Sequence, residues 1–150
     1  MEIFRLESLE YLNLAFTNTK KVPIELRNLI KVRCLIIDNV RALEVIPPNV
    51  IYCLSNLQMF SMILYIGRDI KEYEEGHVQL STGFIVVLQE LECLQYLTEI
   101  SITLHIVPVV QRFLSSQKLQ KCIRHLVMNT CQGLKVVDLP LLTLQRPSWL

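Results

Sequence analysis

The chain has 150 residues, enough for one domain with a real core, and 51% of them are hydrophobic, 26 being leucine. A formal net charge of +1 offers no overall field for nucleic acid or an anionic membrane, so neither is expected as a partner. No apolar run reaches the about 18 residues of a membrane span, and the start Met1-Glu2-Ile3-Phe4-Arg5 lacks the features of a signal peptide.

Taken in chain order, Leu6-Glu7-Ser8-Leu9-Glu10-Tyr11-Leu12-Asn13-Leu14 puts an apolar residue at every third position and closes on L-x-L. The step returns as Leu29, Val32, Leu35, Ile37, then as Leu54, Leu57, Phe60, Met62. It recurs in Leu91, Leu94, Leu97, Ile100, Ile102, and more loosely in Leu119, Cys122 or Ile123, Leu126, Met128. A period of roughly 20–29 residues with this wording marks a leucine-rich-repeat solenoid. Each x-L-x-L-x segment predicts a short strand of a parallel sheet, its two apolar side chains inward and the intervening ones outward. The strands are Tyr11–Ala15, Cys34–Asp38, Met59–Ile63, Glu99–Thr103 and His125–Asn129. Stacked side by side they give an α/β fold with a curved parallel sheet on the concave face and short helices and irregular returns on the convex one.

The first returns contain Val22-Pro23 and Ile46-Pro47-Pro48, where proline stops a helix, so at most a helical turn is expected near Ile24–Leu29 and Asn49–Cys53. From Phe60 to Ile100 the chain takes 40 residues, where about 25 suffice, so an insertion lies near residues 66–84. Its stretch from Gly67 to Gly83 reads as an exposed loop, with Asp69, Glu72, Glu74 and Glu75. A helix then carries Val87, Leu88, Leu91, Leu94 and Leu97 on one face. A second helix from Pro108 to about Lys121 buries Val109, Val110, Phe113 and Leu114. Repeats fill residues 1–139, and residues 140–150 form a tail outside the pattern.

The position after each strand that ordinarily holds a bridging asparagine is filled by Thr17, Val40, Tyr65, His105 and Cys131. Threonine replaces part of that bonding and valine none, which predicts an irregular solenoid. The five cysteines are odd in number and never spaced C-x-x-C, and no Asn-x-Ser/Thr sequon occurs. Both absences predict reduced thiols and an intracellular, cytoplasmic setting.

The wording of Leu9-Glu10-Tyr11-Leu12-Asn13-Leu14, Val22-Pro23-Ile24-Glu25-Leu26-Arg27-Asn28-Leu29 and Val32-Arg33-Cys34-Leu35-Ile36-Ile37-Asp38 resembles a known repeat region. That region belongs to the plant nucleotide-binding leucine-rich-repeat disease-resistance proteins of the coiled-coil class. The resemblance continues in Leu88-Gln89-Glu90-Leu91-Glu92-Cys93-Leu94 and Lys118-Leu119-Gln120-Lys121-Cys122-Ile123-Arg124-His125-Leu126, and covers about 130 residues. It implies protein–protein recognition and autoinhibition in an intracellular immune receptor. The implied partners are proteins: the nucleotide-binding module of the same receptor, a pathogen effector or a guarded host protein. No G-x-x-x-x-G-K-[ST] loop is present, so the chain reads as a fragment lacking the nucleotide-binding module. A stand-alone repeat scaffold or substrate adaptor outside immunity is the alternative.

Side chains between the inward leucines form the candidate partner surface on the concave face: Tyr11, Asn13, Ile36, Asp38, Met59, Ser61, Ile63, Glu99, Ser101, Thr103, His125 and Val127. Ile36, Met59, Ile63 and Val127 would make an apolar strip there. The cations Lys20, Lys21, Arg27, Lys31 and Arg33 are candidates for a contact with an acidic patch of the nucleotide-binding module. Cys122, His125 and Cys131 lack a fourth ligand and the paired spacing of zinc sites. Cys122, His125 and Asp138 supply the residue types of a thiol triad without a nucleophile turn. No metal, cofactor or catalytic activity is expected.

Overall fold

The structure, a computed structural model, describes residues 6–64, 77–104 and 107–128. Among them, five strands form one parallel sheet whose order is the order of the chain. They are β1 (Tyr11–Asn13), β2 (Cys34–Ile36), β3 (Met59–Met62), β4 (Glu99–Leu104) and β5 (Ile123–Met128). Three helices complete an α/β architecture: α1 (His77–Cys93), α2 (Val107–Leu114) and α3 (Gln117–Cys122).

The register follows the L-x-L spacing. Leu12, Leu35, Phe60, Ile100 and Ile123 lie side by side across the strands, and Leu35, Phe60 and Ile100 are wholly buried. Ladder bonds continue past the strand ends, from the Leu14 and Phe16 N–H groups to the Ile36 and Asp38 carbonyls at 2.8 and 2.9 Å. The same step joins Ile37 and Asn39 to Ser61 and Ile63, each at 2.8 Å. Extended pairing therefore reaches the Ala15, Asp38 and Ile63 positions read from the sequence.

The three-residue apolar step has a backbone cause. Before each of the first four strands the chain winds in tight turns bonded from i to i−3: Leu9 to Leu6, Leu29 to Leu26, Val32 to Leu29, Leu54 to Ile51, Leu57 to Leu54, and Leu94 to Leu91. Three residues per turn return every third side chain to the same side. That side is the core, where Leu26, Leu29, Val32, Leu54, Leu57 and Leu91 are wholly or almost wholly buried. Each such side chain contributes roughly 1.5–3 kcal/mol by leaving water.

The returns are irregular, as the prolines require. After Pro23 a short 3-10 helix covers Ile24–Asn28, and beyond Pro48 a single helical turn closes with the Cys53 N–H on the Asn49 carbonyl. This second turn is held from outside. Glu90 of α1, 8% exposed, accepts from the Asn49 N–H at 2.5 Å and the Tyr52 N–H at 2.9 Å.

The helices differ from the sequence expectation at their ends. Helix α1 begins at His77, inside the stretch from Gly67 to Gly83 read as a loop. Gly83 is accommodated within it, and a Cβ there would meet nothing within 4 Å. Of the insertion expected near residues 66–84, the part over residues 66–76 lies outside the described residues. Helix α1 stops at Cys93, so Leu94 and Leu97, expected on its face, belong to the turns before β4, although both are buried. The single helix expected from Pro108 to Lys121 is two helices. Ser116, buried and extended, breaks it and accepts the Leu119 N–H as N-cap of α3, the geometry for which serine is favoured over helix interior. Val109, Val110 and Phe113 form the buried stripe of α2 as expected.

Cations close the C-terminal end of α1. The Lys118 Nζ donates to the Glu92 carbonyl at 2.7 Å and to the Leu94 carbonyl, where helix ends leave acceptors unpaired and favour positive charge. Arg112 pairs with the Glu92 carboxylate. Hydrogen bonds from Arg112 and Ser116 hold that carboxyl below its usual range.

Candidate recognition surface

The sheet face away from the core presents its side chains in rows, because parallel pairing aligns equivalent positions of successive strands. Tyr11, Cys34, Met59 and Glu99 make the first row, and Asn13, Ile36, Ser61, Ser101 and His125 the second. Asp38, Ile63, Thr103 and Val127 follow beyond them. Parallel register thus aligns the twelve expected surface residues in these rows. They differ in access.

In the first row Tyr11 is exposed, and the Cys34 Sγ lies 3.6 Å from the Met59 sulfur. Burial, and then the charge of Glu99, push the Cys34 thiol up. Glu99 is paired with Arg124 at 2.6 Å. Arg124 occupies a register irregularity in β5: Ile100 pairs with Ile123 but Ser101 pairs with His125, leaving Arg124 as the extra residue. The sequence had no signal for this, since the looser fifth repeat allowed either Cys122 or Ile123 as its apolar residue.

The second and third rows carry a polar track. The Ser61 hydroxyl donates to the Asp38 Oδ1 at 2.7 Å, and the same oxygen accepts the Ile63 N–H at 2.8 Å. The Thr103 Oγ1 accepts the Leu64 N–H at 2.8 Å, and the Ser101 Oγ lies 3.3 Å from the His125 Nδ1. Ser61, Ser101, Thr103 and Ile63 are buried, whereas Asn13 and His125 are exposed and Ile36, Asp38, Met59, Glu99 and Val127 are half-buried. The side chains open to a partner are those of the outer strands and the half-buried middle. Asn129, the next position along, lies outside the described residues.

The candidate basic residues lie on the returns around β1 and β2. Arg33 precedes β2, 3.7 Å from Glu10 and 3.2 Å from the Gln58 Oε1. Lys20 and Lys21 follow β1, Lys21 bridging to Val45, while Arg27 and Lys31 lie on the return toward β2; all four are exposed. Cys122 and His125 diverge: the Cys122 Sγ is buried and donates to the Leu97 carbonyl at 3.4 Å, while His125 is exposed beside Ser101. Cys131 and Asp138 lie outside the described residues. Among the described residues no helix is long and apolar enough to cross a membrane.

One surface went unread in the sequence. Beyond the C-terminal ends of β1 and β2, Phe16, Thr17, Asn18, Asn39 and Arg41 line an open groove of about 380 Å³. Phe16 is 79% exposed with φ 59°, and Asn39, the equivalent residue one strand across, has φ 52°. The recurrence of a left-handed residue two positions past L-x-L could have been found only by comparing Phe16 with Asn39.

No protein-family model matches the chain, and no solved structure does. Among curated proteins, a probable disease resistance protein of Arabidopsis thaliana is 30% identical over 125 residues, covering 83% of this chain and 11% of that protein. The chain therefore spans about a tenth of that relative's length. The likeness supports the disease-resistance resemblance that the repeats carry.

Proposed function

We propose that this chain is a leucine-rich-repeat module that recognises proteins and restrains an intracellular plant immune receptor. One observation carries the reading: five parallel strands in chain order coincide with the L-x-L repeats, in a chain that is 30% identical over 125 residues to a probable disease resistance protein. Such a sheet displays side chains in register over a wide surface, which suits protein recognition. The half-buried Ile36, Met59 and Val127 supply apolar area, and Tyr11, Asn13 and His125 supply polar and aromatic contact. Lys20, Lys21, Arg27 and Lys31 are exposed for an acidic face of a nucleotide-binding module. The role is binding, not catalysis, and the compartment is the cytoplasm.

Sequencing the transcript across Met1 tests the receptor context. The expected result is an in-frame upstream stretch encoding a G-x-x-x-x-G-K-[ST] loop. The module so encoded, produced separately, should be captured by the repeat chain and released by charge reversal at Lys20, Lys21 and Arg27. A transcript that starts at Met1 without such a stretch refutes the receptor reading and leaves a stand-alone scaffold.

A further inference from the structure

We propose that the groove beyond β1 and β2 binds a peptide segment in which an acidic side chain lies beside an apolar one, with Phe16 and Arg41 as the two anchors. Phe16 is a residue that the fold does not explain. It is the third residue of a turn closed by the Thr17 N–H on the Leu14 carbonyl at 3.3 Å. Positive φ at that position calls for glycine or asparagine, and a bulky side chain there is strained. The equivalent residue on the next strand, Asn39, is of the type that accepts this conformation. Phenylalanine gains nothing for the fold in exchange, because 79% of it remains in water. Strain combined with an exposed aromatic ring is the pattern of a ligand contact.

The second anchor fixes the chemistry of the occupant. Arg41 is exposed and makes no ion pair or hydrogen bond among the described residues. Among the described residues no carboxylate lines the groove, and the chain leaving it carries exposed Lys20 and Lys21. A guanidinium free to form a paired contact selects a carboxylate, and the adjacent phenyl ring selects an apolar neighbour. Thr17 and Asn18 offer hydrogen bonds along the same wall. Aromatic and arginine side chains are also the types that dominate binding energy at protein interfaces. This site lies off the sheet face and does not depend on the receptor assignment.

Fluorescence anisotropy with the full chain and a short labelled peptide of alternating leucine and glutamate tests the proposal. The expected result is saturable binding, absent for an alternating leucine–lysine peptide and at least about tenfold weaker for a leucine-free glutamate peptide. Phe16→Ala and Arg41→Ala should each weaken binding about fivefold or more. Phe16→Asn separates contact from folding. It should raise Tm by ~2–6 °C through relief of the left-handed strain while weakening binding as much as Phe16→Ala. No saturable binding to the leucine–glutamate peptide would overturn the proposal, and so would wild-type affinity in either anchor variant.

Discussion

Removing the Glu90 carboxylate should loosen α1 from the sheet layer. Its two oxygens accept the Asn49 and Tyr52 N–H groups, 41 and 38 residues away in sequence. Glu90 is 8% exposed and both bonds are half-buried, so Glu90→Ala leaves two donors without a charged partner. A hydrogen bond to a charged group is worth about 1.5–3 kcal/mol, and part of that loss is recovered where water reaches the freed N–H groups. The net cost is therefore about 2–4 kcal/mol, a large share of the ~5–15 kcal/mol of an ordinary domain. In a chain of this size that lowers Tm by ~5–15 °C. Glu90→Gln keeps one acceptor but turns an amide N–H₂ toward the other donor, and should recover less than half of the loss. Urea unfolding followed by circular dichroism, with both variants beside the wild type, measures the difference. A cost below about 0.5 kcal/mol for Glu90→Ala, or wild-type stability in Glu90→Gln, refutes the reasoning.

Further expectations concern the core, the ion pair and the thiols. Phe60→Ala, at a wholly buried site in the central strand, should cost about 3–5 kcal/mol by urea titration. Arg112 and Ser116 depress the Glu92 carboxyl, so their stabilisation is full above the ordinary glutamate range and is lost as pH falls through the lowered value. The stability gap between wild type and Arg112→Met, followed by thermal melts across pH, should shrink below about pH 4; a gap that widens in acid contradicts this. Among the described cysteines, Cys93 is exposed, whereas burial raises the Cys34 and Cys122 thiols. Mass spectrometry after a brief iodoacetamide pulse should find Cys93 labelled first and Cys122 last.

Strand positions and the inward rows were legible in the sequence because L-x-L fixes both period and facing, and Leu35, Phe60 and Ile100 sit where that spacing puts them. The α2 stripe was legible for the same reason. Helix ends were not. The break at Ser116 depends on a serine that serves equally as a surface residue or a cap, and the start of α1 at His77 falls in a polar stretch without an apolar period. Access on the sheet face was not legible either. Alternation separates inward from outward but does not reveal that Ser61 and Thr103 are engaged by Asp38 and Leu64 from neighbouring strands. The groove at Phe16 was hidden for a related reason, since positive φ is a property of the turn and not of phenylalanine.

The order of the sheet has a consequence for how the molecule comes apart. Among the described residues each strand is bonded only to its predecessor and successor in the chain, so opening propagates from neighbour to neighbour. Amide exchange should therefore form a gradient, fastest at β1 and β5, which have one bonded neighbour each among the described strands, and slowest around Phe60 in β3. A lesion in β1 should be felt in β2 and leave the β3–β4 pairing nearly intact. The same logic lets a long insertion lie between β3 and β4 without disturbing their register, because Met59 to Met62 still meet Glu99 to Ile102 residue for residue.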